Sequence, residues 1–222
     1  MKKADVMIKN AYIITMDHDR NIISNGCIVI DKDKITAVGG GELASCYEAS
    51  RVVDAKGKFV FPGMISTHSH LFQTMLKGLG RDKLLFDWLD SSVRTALHRF
   101  DGEMCYYAAL TGCMEAIQSG TTTLLDYMYC HTSPGLSDYV TQAMEDIGIR
   151  GIYGRGFTNT ANFPPEFKVA HHDTEQDMFD DVRRLYKKYE GHSRMSVALA
   201  PGIIWDNTDD GYREMRKMAD EM

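Results

Sequence analysis

His68 and His70 are the residues whose type and spacing could do chemistry, in the stretch Phe61-Pro62-Gly63-Met64-Ile65-Ser66-Thr67-His68-Ser69-His70-Leu71-Phe72-Gln73. The apolar run before them reads as a short strand leaving a Pro-Gly turn. Side chains alternate along a strand with a period of two, so both imidazoles face one point. Neutral imidazole nitrogens are good ligands for a divalent cation, and two from one strand end arrive already oriented. Two histidines two residues apart could equally be surface or core residues; the turn, the strand and Gln73 make the signal composite. A metal held by two imidazoles alone is weak, since a catalytic ion usually has three protein ligands and an activated water. Zinc or iron would both accept this ligand type.

Other polar residues fall where strands are expected to end. Arg155, in Gly154-Arg155-Gly156-Phe157, carries a fixed fork of donors suited to a carboxylate, a carbonyl or a ring acceptor. A ligand contact and a structural salt bridge are both open to it. Asp126 closes an apolar run, and a carboxylate there reads as an orienting or loop-anchoring group. Tyr127, Tyr129 and His131 follow and are candidates for lining a mouth, with an ordinary loop histidine the better reading of His131. His171-His172-Asp173 looks metal-like in composition but precedes a helical stretch, so it reads as a solvated helix start. There is no Walker-type loop and no Gly-x-Gly-x-x-Gly, which leaves nucleotide-cofactor enzymes unsupported.

The elements that must position these groups fall into two stretches. Residues 1–58 read as short strands and turns, with Val6, Ile8, Ala11, Ile13 and Ile14, then 27–30, 35–38 and 52–53, punctuated by Asp31-Lys32-Asp33-Lys34 and Gly39-Gly40-Gly41. From 59 to 222 strand and helix alternate. Strands are expected at 64–67, 121–125, 149–154 and 195–200, and helices at 84–99, from Asp101 to Gly120, and at 136–147, 175–189 and 208–222. Four strand–helix steps predict a parallel sheet with right-handed crossovers. They amount to half of an eightfold barrel, so the expected class is α/β, the N-terminal half of a (βα)8 TIM-type barrel behind a small β domain. The final helix runs to Met222 without a capping signal, which supports a half rather than a whole. A complete four-stranded α/β domain would need its sheet edges covered.

Composition narrows the function classes. A chain of 222 residues with 44% hydrophobic content can bury a real core. A formal charge of -6, with no basic stripe, argues against nucleic acid as a partner. No run of about 18 apolar residues argues for a membrane span, and the Met-Lys-Lys-Ala-Asp start is unlike a signal peptide, so a cytoplasmic protein is expected. Five cysteines without Cys-x-x-Cys spacing read as reduced, buried thiols.

The run from Phe61 to Gly78 resembles the opening of the barrel in the amidohydrolase superfamily, in the cytosine-deaminase-like branch that acts on amino-substituted rings. That branch holds the methylthioadenosine and S-adenosylhomocysteine deaminases, the guanine and 8-oxoguanine deaminases and the triazine hydrolases. The resemblance covers nearly the whole chain and implies a β-sandwich in front of the barrel, completed by C-terminal strands. It implies one divalent metal, zinc first and iron second, on His68 and His70, with a histidine, an aspartate and proton-transfer groups from later strands that are not in this chain. The isolated chain is then expected to be inactive without a C-terminal half. Gln73, whose amide offers donor and acceptor to a ring edge, Trp88 in Phe86-Asp87-Trp88-Leu89, as packing residue and pocket wall, and Arg155 are implied substrate contacts. The implied activity is metal-dependent hydrolytic deamination of a small heteroaromatic ring of purine, pterin, pyrimidine or triazine type, in a homo-oligomer. Opening of a cyclic amide, removal of a halide, or a non-catalytic half-barrel binding module are the alternatives. Where the nucleoside deaminases carry a ribose-binding glutamate and a ring-contacting histidine this chain has Leu97 and Gly202, which predicts a preference for free or fused rings over adenosine-type nucleosides.

Overall fold

Strand β1 (Lys2–Ile14) organises the N-terminal unit of the computed structural model, which describes residues 1–162, 166, 167, 169 and 171–222. It pairs antiparallel with β2 (Ile22–Asp31) and parallel with β4 (Tyr47–Asp54). β2 continues as a hairpin into β3 (Lys34–Gly40). The hairpin turn places Lys32 at φ 53°, and its N–H donates to Asp5 at 2.7 Å, which holds a conformation that side chains otherwise avoid. Alternation sends Cys27 and Val29 into one apolar cluster with Ala4 and Met7, and Ile28 into another with Ala11, Ile13 and Ala55.

The boundary between units lies at Gly63/Met64, five residues beyond the 58/59 division expected from the sequence. The reason is β5 (Phe59–Val60), which stays paired with β1 through Tyr12 and Ile13. The described residues of this unit make one five-stranded sheet, and no second sheet of a β-sandwich is among them.

The second unit carries β6 (Met64–Ser69), β7 (Thr121–Met128), β8 (Arg150–Gly156) and β9 (Met195–Ala200), all parallel and in that spatial order. They alternate with helices α2 (Gly102–Gln118), α3 (Leu136–Ile147), α4 (Glu175–Lys188) and α5 (Asp209–Glu221). The helix starts are fixed locally. Asp101 accepts the Met104 N–H at 2.8 Å, Thr174 and Asp177 form a capping box, and Thr208 accepts the Gly211 N–H. Gly148, at φ 80°, closes α3 in the left-handed conformation.

The continuous helix expected at 84–99 is not formed. A short α1 (Leu85–Leu89) passes into a π turn at Asp90–Arg94 and a 3-10 turn at Leu97–Arg99. Ser91, Ser92 and Thr95 donate their hydroxyls back to the carbonyls of Asp87, Trp88 and Asp90, and such bonds compete with the helical ladder.

The main core lies between the sheet and its helices, with Leu124, Met128 and Tyr153 from the strands against Cys105, Ala109, Val140 and Met144 from α2 and α3. Four cysteines are buried, Cys27 in the N-terminal unit and Cys105, Cys113 and Cys130 in the second, while Cys46 is exposed. The sheet's outer strands are β6 and β9, and on β6 Met64 and Ile65 are 55% and 68% exposed.

Candidate active site

The end of β6 is tied to β7 so that its two histidines converge. Ser69 donates its hydroxyl to the Leu125 carbonyl at 2.7 Å, and His70 donates Nδ1–H to the Tyr127 carbonyl at 2.7 Å. The second bond selects a tautomer in which His70 Nε2 keeps a free lone pair. That nitrogen lies 3.1 Å from His68 Nε2, with the rings edge-to-face at 85°. One zinc-like ion with bonds of about 2.0–2.1 Å to each nitrogen fits that spacing. Burial, reinforced by the neighbouring His68, keeps the pKa of His70 below its ordinary value, so the ring is neutral and able to ligate.

Asp126 secures the residue after the pair. One carboxylate oxygen accepts the Leu71 N–H at 2.7 Å, and the other is buried without a partner. Complete burial pushes this carboxyl up to about 7, against the pull of the Leu71 N–H. The orienting role read from sequence is therefore the one its contacts describe.

A cavity of about 360 Å³ opens beside His70. Gln73, Trp88, Tyr127 and Tyr129 line it. Gln73 Nε2 donates to the Tyr129 hydroxyl at 2.6 Å. The tyrosine rings sit 5.3 Å apart and Tyr127 lies 5.2 Å from the His70 ring, so the wall is aromatic. Trp88 reaches its place only because residue 80 is glycine, where a Cβ would fall 1.3 Å from the indole.

Arg155 is not brought to this cavity. Counting by twos along β8 puts it with Tyr153 on the helix-facing side, 3% exposed. Both oxygens of Asp173 receive its guanidinium, at 2.8 and 2.9 Å, and its Nε donates to Asp181 at 3.0 Å. Of the two readings open to it, the salt bridge is correct and the substrate contact is not. His131 is likewise no mouth residue, being buried with Nε2 3.1 Å from the Tyr153 hydroxyl. His171, Asp173 and Asp177 bring ligand atoms within 4.8 Å of one another, but Asp173 is bound to Arg155 and Asp177 caps Thr174. Asp173 is buried, which corrects the reading of a solvated helix start.

The two departures at Leu97 and Gly202 also change meaning. Leu97 is fully buried in the main core and faces no ligand. Gly202 leaves no space, because a Cβ there would meet the Tyr127 hydroxyl at 2.6 Å. Sequence reasoning missed Arg94, Asn159, Trp205 and Asp206, which complete the cavity. The signal available was position, since Trp205-Asp206 follows the end of β9, where barrel loops build sites.

The description "Amidohydrolase family" matches residues 59–222, and the chain belongs to that family. It is 30% identical over 214 residues to a 5-methylthioadenosine/S-adenosylhomocysteine deaminase of Bacillus cereus (strain AH820), covering 96% of this chain and 46% of that protein. Among solved structures, an adenosine deaminase from Xanthomonas campestris with bound zinc superposes with a TM-score of 0.86 at 19% identity, covering 99% of this chain and 48% of that one. Guanine deaminase of E. coli gives 0.77 at 21% identity, over 97% and 50%. The chain thus spans about half the length of the curated relatives it matches.

Proposed function

We propose that the intact protein is a metal-dependent hydrolase that removes an amino group from a heteroaromatic ring, and that residues 64–222 are the first four βα units of its TIM-type barrel. The observation that carries this reading is the convergence of His68 and His70 Nε2 to 3.1 Å beside an aromatic-walled cavity. A divalent cation held by that pair, zinc before iron, supplies Lewis acidity toward a hydrolytic water. The residues present do the rest of this half's work. Tyr127 and Tyr129 present faces to a planar ring, Gln73 offers its carbonyl oxygen to a ring donor, and Trp88 closes the wall.

Two imidazoles make an incomplete ligand set for catalysis. Catalysis therefore requires further ligands and proton-transfer groups from outside these 222 residues, and the chain spans 46% of the Bacillus relative. The 222-residue chain on its own is accordingly inactive. The name of the Bacillus relative supports amine removal as the reaction. The test is a deamination screen of purines, pterins, pyrimidines and triazines with the full-length protein, its metal quantified. Ammonia release that tracks metal content is expected. No release from any ring at full metal occupancy rejects the proposal.

A further inference from the structure

Among the described residues that line the cavity beside His70, Asp206 is the one carboxylate. It follows β9 in a turn closed by its own N–H, which donates to the Ile203 carbonyl at 2.9 Å. Thr158, Asn159 and Arg94 line the cavity with it, and each pulls its pKa down against the effect of burial. Its field also falls on Tyr127 and Cys130, deep among the lining residues. An ionised carboxylate has about four lone-pair sites, which leaves capacity for a ligand beside these neighbours. Burial pushes its pKa upward, the mark of a carboxylate short of solvent. Most of the surrounding surface is aromatic or aliphatic, with Leu85, Val93 and Ile203 among the lining residues.

Resting on the reading proposed above, we propose that Asp206 accepts a hydrogen bond from a ring N–H of the substrate, and so selects free heteroaromatic bases over their N-substituted, nucleoside-type derivatives. With the amino-bearing carbon held toward His70, the other edge of a fused ring meets Asp206. A free purine presents an N–H on its five-membered ring there. A substituent on that nitrogen removes the donor and sets carbon against a partly desolvated carboxylate. Hydrogen bonds to charged groups are the strong ones, and losing one costs about 10- to 100-fold in binding. This basis for a free-base preference is independent of Leu97 and Gly202, neither of which acts as the sequence suggested.

The chain's two tryptophans, Trp88 and Trp205, both line this cavity, so intrinsic fluorescence reports occupancy without turnover. The probes are adenine and guanine, each against its 9-methyl derivative, titrated into the full-length protein stripped of metal, with kcat/KM measured for the same compounds on the metal-loaded protein. The free bases are expected to bind about 10- to 100-fold more tightly than the methylated ones, and Asp206→Ala, which removes the acceptor, is expected to close that gap. Equal affinity within each pair, a gap of the same size in Asp206→Ala, or no saturable response to any of the four overturns the inference. The gap in the native chain decides the matter even if the variant fails to fold. Preferential binding without ammonia release from the full-length protein would leave Asp206 as assigned and reject the deaminase reading. Release without preference would do the reverse.

Discussion

His70 is available as a ligand because its other ring nitrogen donates its N–H to a backbone carbonyl of the next strand. Changing His68 or His70 to Ala in the full-length protein is expected to lower bound metal and turnover together, and unchanged metal content in the double variant would show that the ion sits elsewhere. Asp126, close by in the fold, makes a pH-dependent contribution whose sign follows from its burial. Its folded carboxyl titrates at about 7 against an ordinary value of 3.8, so the folded chain holds a proton that the unfolded chain releases. The stabilisation is fully present below pH about 4 and is lost as pH rises through about 7. Asp126→Asn, which cannot ionise and can still accept the Leu71 N–H, is therefore expected to gain relative to the native chain on the order of 2–4 kcal/mol between pH about 5 and about 8. Denaturant melts at both values check it, and a pH-independent difference counts against the buried, unpartnered oxygen. For Arg155, truncation to Ala strands Asp173 and Asp181 and should cost about 3–5 kcal/mol of stability, read by urea unfolding. A variant as stable as the native chain would contradict the ion-pair assignment. The histidine pair was legible because its geometry is local, two side chains on one strand. Arg155 was not, since the partners that make it a salt bridge, Asp173 and Asp181, lie 18 and 26 residues away.

Among the elements, α3 and β9 fall where periodicity and the flanking glycine or proline put them. The strand–helix alternation was legible because the strands are short apolar runs and three of the helices that follow them, α2, α4 and α5, open on a capping side chain. The broken segment after Leu84 was not, because hydroxyls that bond back to the main chain leave the apolar spacing of a helix intact while undoing its ladder. Among the described residues, strands β6 and β9 each have one hydrogen-bonded neighbour in the sheet, and unpaired strand edges invite pairing with other chains. The 222 residues expressed alone are expected to self-associate, with sedimentation or light scattering showing species beyond the monomer. A monodisperse monomer across micromolar concentrations would show that these edges are masked.

On the scale of the whole chain, the division at Gly63/Met64 makes two bodies with separate cores, and the cysteines are distributed between them in a way that can be counted. Cys46 alone meets solvent. Burial pushes Cys105 and Cys113 up to about 12 and raises Cys27 and Cys130 as well, so none of the four offers a thiolate to a reagent while its core is closed. Alkylation followed by mass spectrometry should show one adduct at once and none further until a unit opens. Opening of the first unit then adds a single mass, at Cys27, and opening of the second adds three together. The protein carries its own tally of which half has come apart, and four adducts arriving in one step would mean that the halves unfold as one.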